Sequence, residues 1–344
     1  MKRLPSLILI TLTVAIAACR GSSSLPTSPT SPAPAGSPRA DAASTEVRLV
    51  DAVAGTPAIG ISVAVNARTM PASDGDGCST ISAQHSGRYA VSFSGGGVVT
   101  RTTTLPIPSP EVQVSLIPAA FELTAFDQMF RSRDGQLQRW TSAPRLVIVA
   151  RELRFSPSYA NDLEAVAGTI AENEQRDLAA DLSSGFGMLT DQRLGGFAGV
   201  TVESPGAGAM VSVMRTGTIV AGRSRGLSAA TGYWGMGQWA TAGNGEVIAG
   251  YLLLDADWDG PACEYPQFRR SLRIHELGHA LGYGHVSGRL SVMNANARLE
   301  PTAWDLQAIH IAFQRPPGTT APDNDPPASS LNARRTLVSG PRLY

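Results

Sequence analysis

Lysine is almost missing from this chain. Lys2 is the only one among 28 basic residues, so arginine supplies the other 27, and 28 acidic residues bring the formal net charge to zero. A general nucleic-acid binder needs a basic excess to neutralise phosphates, so this balance excludes that class. Cysteine is scarce, with three residues in 344, too few for a disulfide-stapled scaffold. Long hydrophobic runs are missing too. The apolar stretch from Leu7 to Ala18 falls short of the roughly 20 residues that span a bilayer, which argues against a membrane-spanning anchor. What is present is a hydrophobic content of 43% against 16% charged residues, enough for a sizeable core and against wholesale disorder. At about 150 residues per domain the length suggests two domains plus ends.

The first 18 residues have the form of a secretory signal: Lys2 and Arg3, then the apolar run, then small residues ending Ile16-Ala17-Ala18. Removing them takes two basic residues and no acidic one, which leaves 26 against 28. The junction Ile16-Ala-Ala-Cys19 resembles the lipobox of bacterial lipoproteins, in which the cysteine becomes the lipidated first residue. That resemblance implies a lipid on Cys19 and export to the cell envelope. Arg20, standing where an aspartate would retain the chain, implies the outer membrane or cell surface. Residues 19–45 are rich in serine and proline and have little to bury, so they read as a flexible tether. Residues 316–344 open with Pro316-Pro-Gly-Thr-Thr-Ala-Pro and are expected to be a disordered tail of similar kind.

Between the ends the hydrophobic pattern changes once. From 46 to 118 its period is two: Ile61, Val63 and Val65, then Tyr89, Val91 and Phe93, then Val112, Val114 and Leu116, with glycine-rich turns between. This predicts a small all-β sandwich, with no motif tied to chemistry. His85 stands alone there and reads as an ordinary strand or surface residue. From 119 to 315 the pattern mixes. Leu146–Ala150 and Val247–Leu254 are continuous apolar strands. Residues 161–182 have helical spacing, and helices are expected over Arg269–Leu281 and Trp304–Phe313. The fold class is therefore α+β, with the β sandwich preceding a mixed domain.

Three of the five histidines fall within residues 275–285, His-Glu-Leu-Gly-His-Ala-Leu-Gly-Tyr-Gly-His. Four residues advance a helix by about 400°, so His275 and His279 lie one turn apart on one face. Gly282 can adopt φ > 0, end the helix and let the chain bring His285 back as a third imidazole. Three neutral imidazoles suit one catalytic Zn²⁺ and leave its fourth position for water. Glu276 is placed to touch that water, not the ion, and to act as general base. At this chain's own frequencies the full pattern arises by chance a few times in about a million, so three unrelated histidines are a poor account of it.

The string resembles the metzincin metalloproteases, whose signature it shares and whose Met-containing turn has a counterpart at Met293, in Leu290-Ser-Val-Met-Asn. The short gap to Met293 and the acidic helix after Pro301 look most like the matrixin branch. The resemblance implies a zincin-like catalytic domain over 119–315, a structural role for Met293 beneath the metal, and hydrolysis of peptide bonds in protein or peptide substrates. Substrate would lie extended along an edge strand not identifiable from sequence. The chain departs from the family in three ways. It lacks a tyrosine close after Met293, a second histidine cluster, since only His85 and His310 remain, and a matching propeptide cysteine motif.

Three further features leave alternatives open. Asp255, Asp257 and Asp259 before Gly260 resemble half of a calcium loop, but Pro266 holds the position of its bidentate glutamate. They form either a solvated turn or a Ca²⁺ loop of another kind. With Cys19 lipidated, Cys78 and Cys263 remain, one in each folded part, able to bridge the two in an oxidising compartment. Two other functions compete with proteolysis: a surface adhesin with a vestigial zinc site, and a zinc amidase acting on cell-wall peptide.

Overall fold

The computed structural model describes residues 43–156, 161–296 and 299–327. Seven strands come first: β1 (Ala43–Asp51), β2 (Ser62–Val65), β3 (Arg68–Met70), β4 (Cys78–Ala83), β5 (Gly87–Ser94), β6 (Arg101–Ile107) and β7 (Val112–Leu116). They form two sheets, ordered β4-β1-β7 and β3-β2-β5-β6. One hydrophobic cluster fills the space between them, with Val47, Leu49, Ile81 and Val114 from the first sheet and Val63, Val91, Phe93 and Leu105 from the second. The alternation legible in the sequence is the alternation of inward and outward faces.

The second part begins with α1 (Leu123–Phe130), then β8 (Arg145–Val149), β9 (Arg151–Arg154), β10 (Asp162–Thr169), α2 (Glu172–Leu189), β11 (Gly199–Glu203), β12 (Met210–Ser212) and β13 (Thr218–Arg225). It continues with α3 (Leu227–Thr231), β14 (Gly235–Thr241), β15 (Val247–Asp255), α4 (Ala256–Asp259), α5 (Arg269–Ala280) and α6 (Ala303–Phe313). Together these make a mixed α+β fold. Strands β11, β8, β13 and β15 run parallel, and β14 pairs antiparallel with β15 at the edge. The sheet is covered on both faces, which explains the unbroken apolar runs. Leu146, Ile148, Leu252 and Leu254 face the helices, while Val147, Val149, Tyr251 and Leu253 face a second cluster with Leu163 and Val211 from the β10–β12 pair.

Two expectations are corrected here. Residues 161–182 are not one helix: β10 occupies the first half and α2 starts at Glu172. Leu163 and Ala165 point inward in strand alternation, and the three- and four-residue spacing of Leu163, Val166 and Ile170 is a coincidence of two elements read as one. The segment from Pro316 to Pro327 is not a disordered tail. It crosses back to the sandwich and is held by charge: Arg315 and Asp323 form a bidentate pair at 2.8 Å with both side chains fully buried, and Arg101 of β6 meets Asp325 at 2.9 Å. Arg315 also donates to Ser115 Oγ at 2.7 Å. Ala52 and Ile117 of the sandwich lie in the larger domain's core. The two domains are therefore joined by apolar contact and by this strap, in a way composition alone did not disclose. Among the described residues, no helix is long and apolar enough to cross a membrane.

Candidate metal centre

Helix α5 lies between the β14–β15 edge of the sheet and α2, and every residue from Ser271 to Ala280 is buried. Strand β14 approaches it closely because glycine faces it. A Cβ on Gly237 would lie 2.3 Å from the Glu276 carbonyl oxygen and 2.5 Å from His279 Cβ. At Gly282 the backbone takes φ +103°, as the sequence predicts, and the chain turns after α5.

The turn brings the three histidines together. Their ligand atoms lie within 4.8 Å of one another, with His275 Nε2 and His285 Nε2 each 3.1 Å from His279 Nε2. His275 Nδ1 sits 2.7 Å from the Val292 carbonyl and His279 Nδ1 sits 2.7 Å from the Tyr283 carbonyl. A carbonyl only accepts, so each Nδ1 carries the hydrogen and each Nε2 keeps a lone pair turned toward the common centre. Burial reinforces the neutral form. It pushes His275 down to about 4 and His279 well below its ordinary value, and it lowers His285 as well. Converging lone pairs at 3.1 Å repel unless a cation sits between them. Two Zn–N bonds of about 2.05 Å at a tetrahedral angle would place the nitrogens roughly 3.3 Å apart, so the donor set fits zinc.

Glu276 completes the site. Its carboxylate accepts the Gly237 N–H, and its Oε2 is buried without a partner among the described residues. Burial pushes its pKa up to about 8, against the opposing effect of that N–H. His285 is the exposed member of the trio, so the centre opens to solvent on its side. Met293 is fully buried, with Sδ in the space a Cβ on Gly278 would occupy, directly against α5 between His275 and His279.

Sequence reading missed the supports of this site. Asp305, fully buried at the start of α6, accepts from Ser291 Oγ at 2.6 Å and from the Val292 N–H at 2.9 Å, and it also closes a capping box with Thr302. The Thr302-x-x-Asp305 spacing is a helix-start signal, but its second role depends on where the Met293 turn packs.

The other expected features are not brought together. Asp255 caps α4, accepting from the Asp257 and Trp258 N–H groups and from Ser228 N–H, while the carboxylate of Asp259 lies between Arg223 and Arg273. With those oxygens engaged, Asp255, Asp257 and Asp259 form no calcium cage, and the histidine trio is the group among the described residues that could hold an ion. Cys263 is a free thiol, so the expected bridge to Cys78 is not formed. Its Sγ is turned into its own turn, 3.3 Å from the Tyr265 N–H. His310 pairs with Asp191 at 2.7 Å, away from the trio. Cys19 lies outside the described residues.

No family model and no curated protein matches the chain. Among solved structures, the 5-hydroxyisourate hydrolase of Klebsiella pneumoniae is similar over 22% of this chain and 88% of that one, with 19% identity and a TM-score of 0.18. At that score the likeness carries no argument about the site.

Proposed function

We propose that this chain is a zinc-dependent metalloendopeptidase with a matrixin-like metzincin domain, exported and held to the outer surface of the cell envelope through a lipid on Cys19. The convergence of three imidazole Nε2 atoms, those of His275 and His279 left unprotonated by their Nδ1 contacts, beside the unpartnered Oε2 of Glu276 supports it best. His275, His279 and His285 would hold the ion, and a bound Zn²⁺ supplies Lewis acidity and a water whose pKa falls to about 7.

The chain's own residues then divide the work. Glu276 takes the water's proton and passes it to the leaving nitrogen, and the Gly237 N–H keeps its carboxylate from turning away. A buried carboxylate with raised proton affinity suits that task, because it must hold the proton until the nitrogen departs. Met293 and the paired carbonyls of Val292 and Tyr283 keep the imidazoles in register. Every residue of β14 is buried while Tyr233, two residues before it, is exposed, so an extended substrate would meet the sheet edge beside Tyr233 and enter from the His285 side.

The test uses the full chain in detergent with an unstructured protein substrate and a measured zinc content. Cleavage that stops with a chelator, returns with zinc and vanishes in Glu276→Gln is the expected result. Cleavage surviving Glu276→Gln sinks the mechanism. A zinc-loaded protein that leaves proteins intact but opens cell-wall peptide would instead establish the amidase.

A further inference from the structure

Helix α5 starts badly. It has no side-chain N-cap and no acidic residue in its first turn, and Arg269, Arg270 and Arg273 crowd the end where the helix dipole is already positive. Carboxylates from elsewhere in the fold balance that charge. Asp259, fully buried, accepts from Arg273 Nε at 2.7 Å and Nη2 at 3.1 Å, and from Arg223 Nε of β13 at 2.8 Å. Its carbonyl oxygen accepts Arg223 Nη2 at 2.6 Å. Asp181 of α2 accepts Arg273 Nη1 at 2.8 Å, and Glu174 of α2 accepts Arg223 Nη1 at 3.0 Å. One buried carboxylate thus ties the sheet, α4 and α5 together, and two others tie the same arginines to α2.

Arg273 stands two residues before His275, about 200° around the helix, so it anchors the flank opposite that ligand. On the ligand side, β14 lies within van der Waals reach of Glu276 and His279 and leaves room for no side chain at Gly237. The helix is therefore gripped from two sides. Rotation about its axis would swing His275 and His279 away from His285, which rides on the following turn.

We propose that Asp259, clamped between Arg223 and Arg273, is the positioning residue of the metal helix, setting the rotation of α5 at which the three histidines converge and Glu276 meets Gly237. The assignment rests on the zinc reading above. Groups that orient metal ligands from behind are typically worth about 10- to 100-fold in affinity or activity.

Zinc affinity, measured on the full chain by competition with a chromogenic chelator, tests it apart from activity. Asp259→Asn should bind zinc about 10- to 100-fold more weakly and lose kcat with KM unchanged. A sandwich-core variant such as Leu105→Ala, destabilised to a similar degree, should bind zinc normally. Wild-type affinity in folded Asp259→Asn, or an equal loss of affinity in Leu105→Ala, overturns the positioning role. Where Asp259→Asn does not fold, Arg273→Lys keeps the charge but loses the bidentate grip. Weakened zinc binding there upholds the proposal, and wild-type binding overturns it. A wild-type chain that takes up no zinc removes the metal reading itself, and the positioning role with it.

Discussion

Asp305 and Val292 are joined by a hydrogen bond of 2.9 Å, and the carbonyl of that same Val292 residue accepts His275 Nδ1 at 2.7 Å. A carboxylate at the start of α6 thereby steadies the segment that orients His275 on α5. Replacing Asp305 by alanine should cost the helix its cap and leave Ser291 and Val292 donors without their acceptor, a loss of about 1–3 kcal/mol. Zinc affinity should fall with it. A thermal melt and a zinc titration check both, and unchanged zinc affinity would separate Asp305 from the proposed zinc site.

Glu276→Gln keeps the shape of the side chain but cannot accept the water's proton. Hydrolysis should drop by roughly 10²- to 10⁴-fold while bound zinc, measured by elemental analysis, stays at the wild-type amount.

Gly237→Ala would push a β-carbon against the backbone of Glu276 and the side chain of His279. Neither has slack, because α5 is held on its other flank by Arg273. Such overpacking typically costs about 1–3 kcal/mol. Here the displaced group is the helix that carries His275, Glu276 and His279, so on the proposed function activity should fall further than stability. Parallel measurement of Tm and kcat decides it: a variant that melts early but turns over normally contradicts the close approach.

The metal-free protein should lose stability on acidification in a defined window. His275 titrates near 4 when folded, below its ordinary value of about 6.5, and His279 and His285 are shifted in the same direction. Above the ordinary value both folded and unfolded chains hold these imidazoles neutral, and stability does not change. Between roughly 6.5 and 4 the unfolded chain binds more protons, so stability falls as pH falls. Melts of the apo protein across that range should show the decline, and saturating zinc should lift the curve where the imidazoles are free to bind it.

Asp323→Ala would leave the Arg315 guanidinium buried with its bidentate partner gone. Breaking a buried pair in this way costs about 3–5 kcal/mol. The strap should loosen from the sandwich, and limited proteolysis should cut between 316 and 327 where the wild type resists.

The clustering of the three histidines was legible in the linear sequence because helical periodicity and one glycine determine their geometry locally. His275 and His279 need only 3.6 residues per turn, and His285 needs only the turn that Gly282 permits. The sandwich strands were equally legible, since one buried face imposes strict alternation. The break between β10 and α2 was not, because a strand of eight residues followed by a helix can mimic one helical stripe until partners choose between them. Nor was the destiny of Asp259, which looks like half a calcium loop beside Asp255 and Asp257. Its charge is answered by Arg223, 36 residues away, and by Arg273 on another helix. Pro316 to Pro327 reads as tail for a related reason: the partner of Asp325, Arg101, lies more than 200 residues upstream, and Asp323 meets Arg315, eight residues away, only once the turn between them has formed. Sequence alone determined the chemistry that can converge at α5, because local backbone geometry places those donors. The tertiary structure alone decided which charges are paired and buried, because Coulomb attraction and desolvation depend on distance in space and not along the chain.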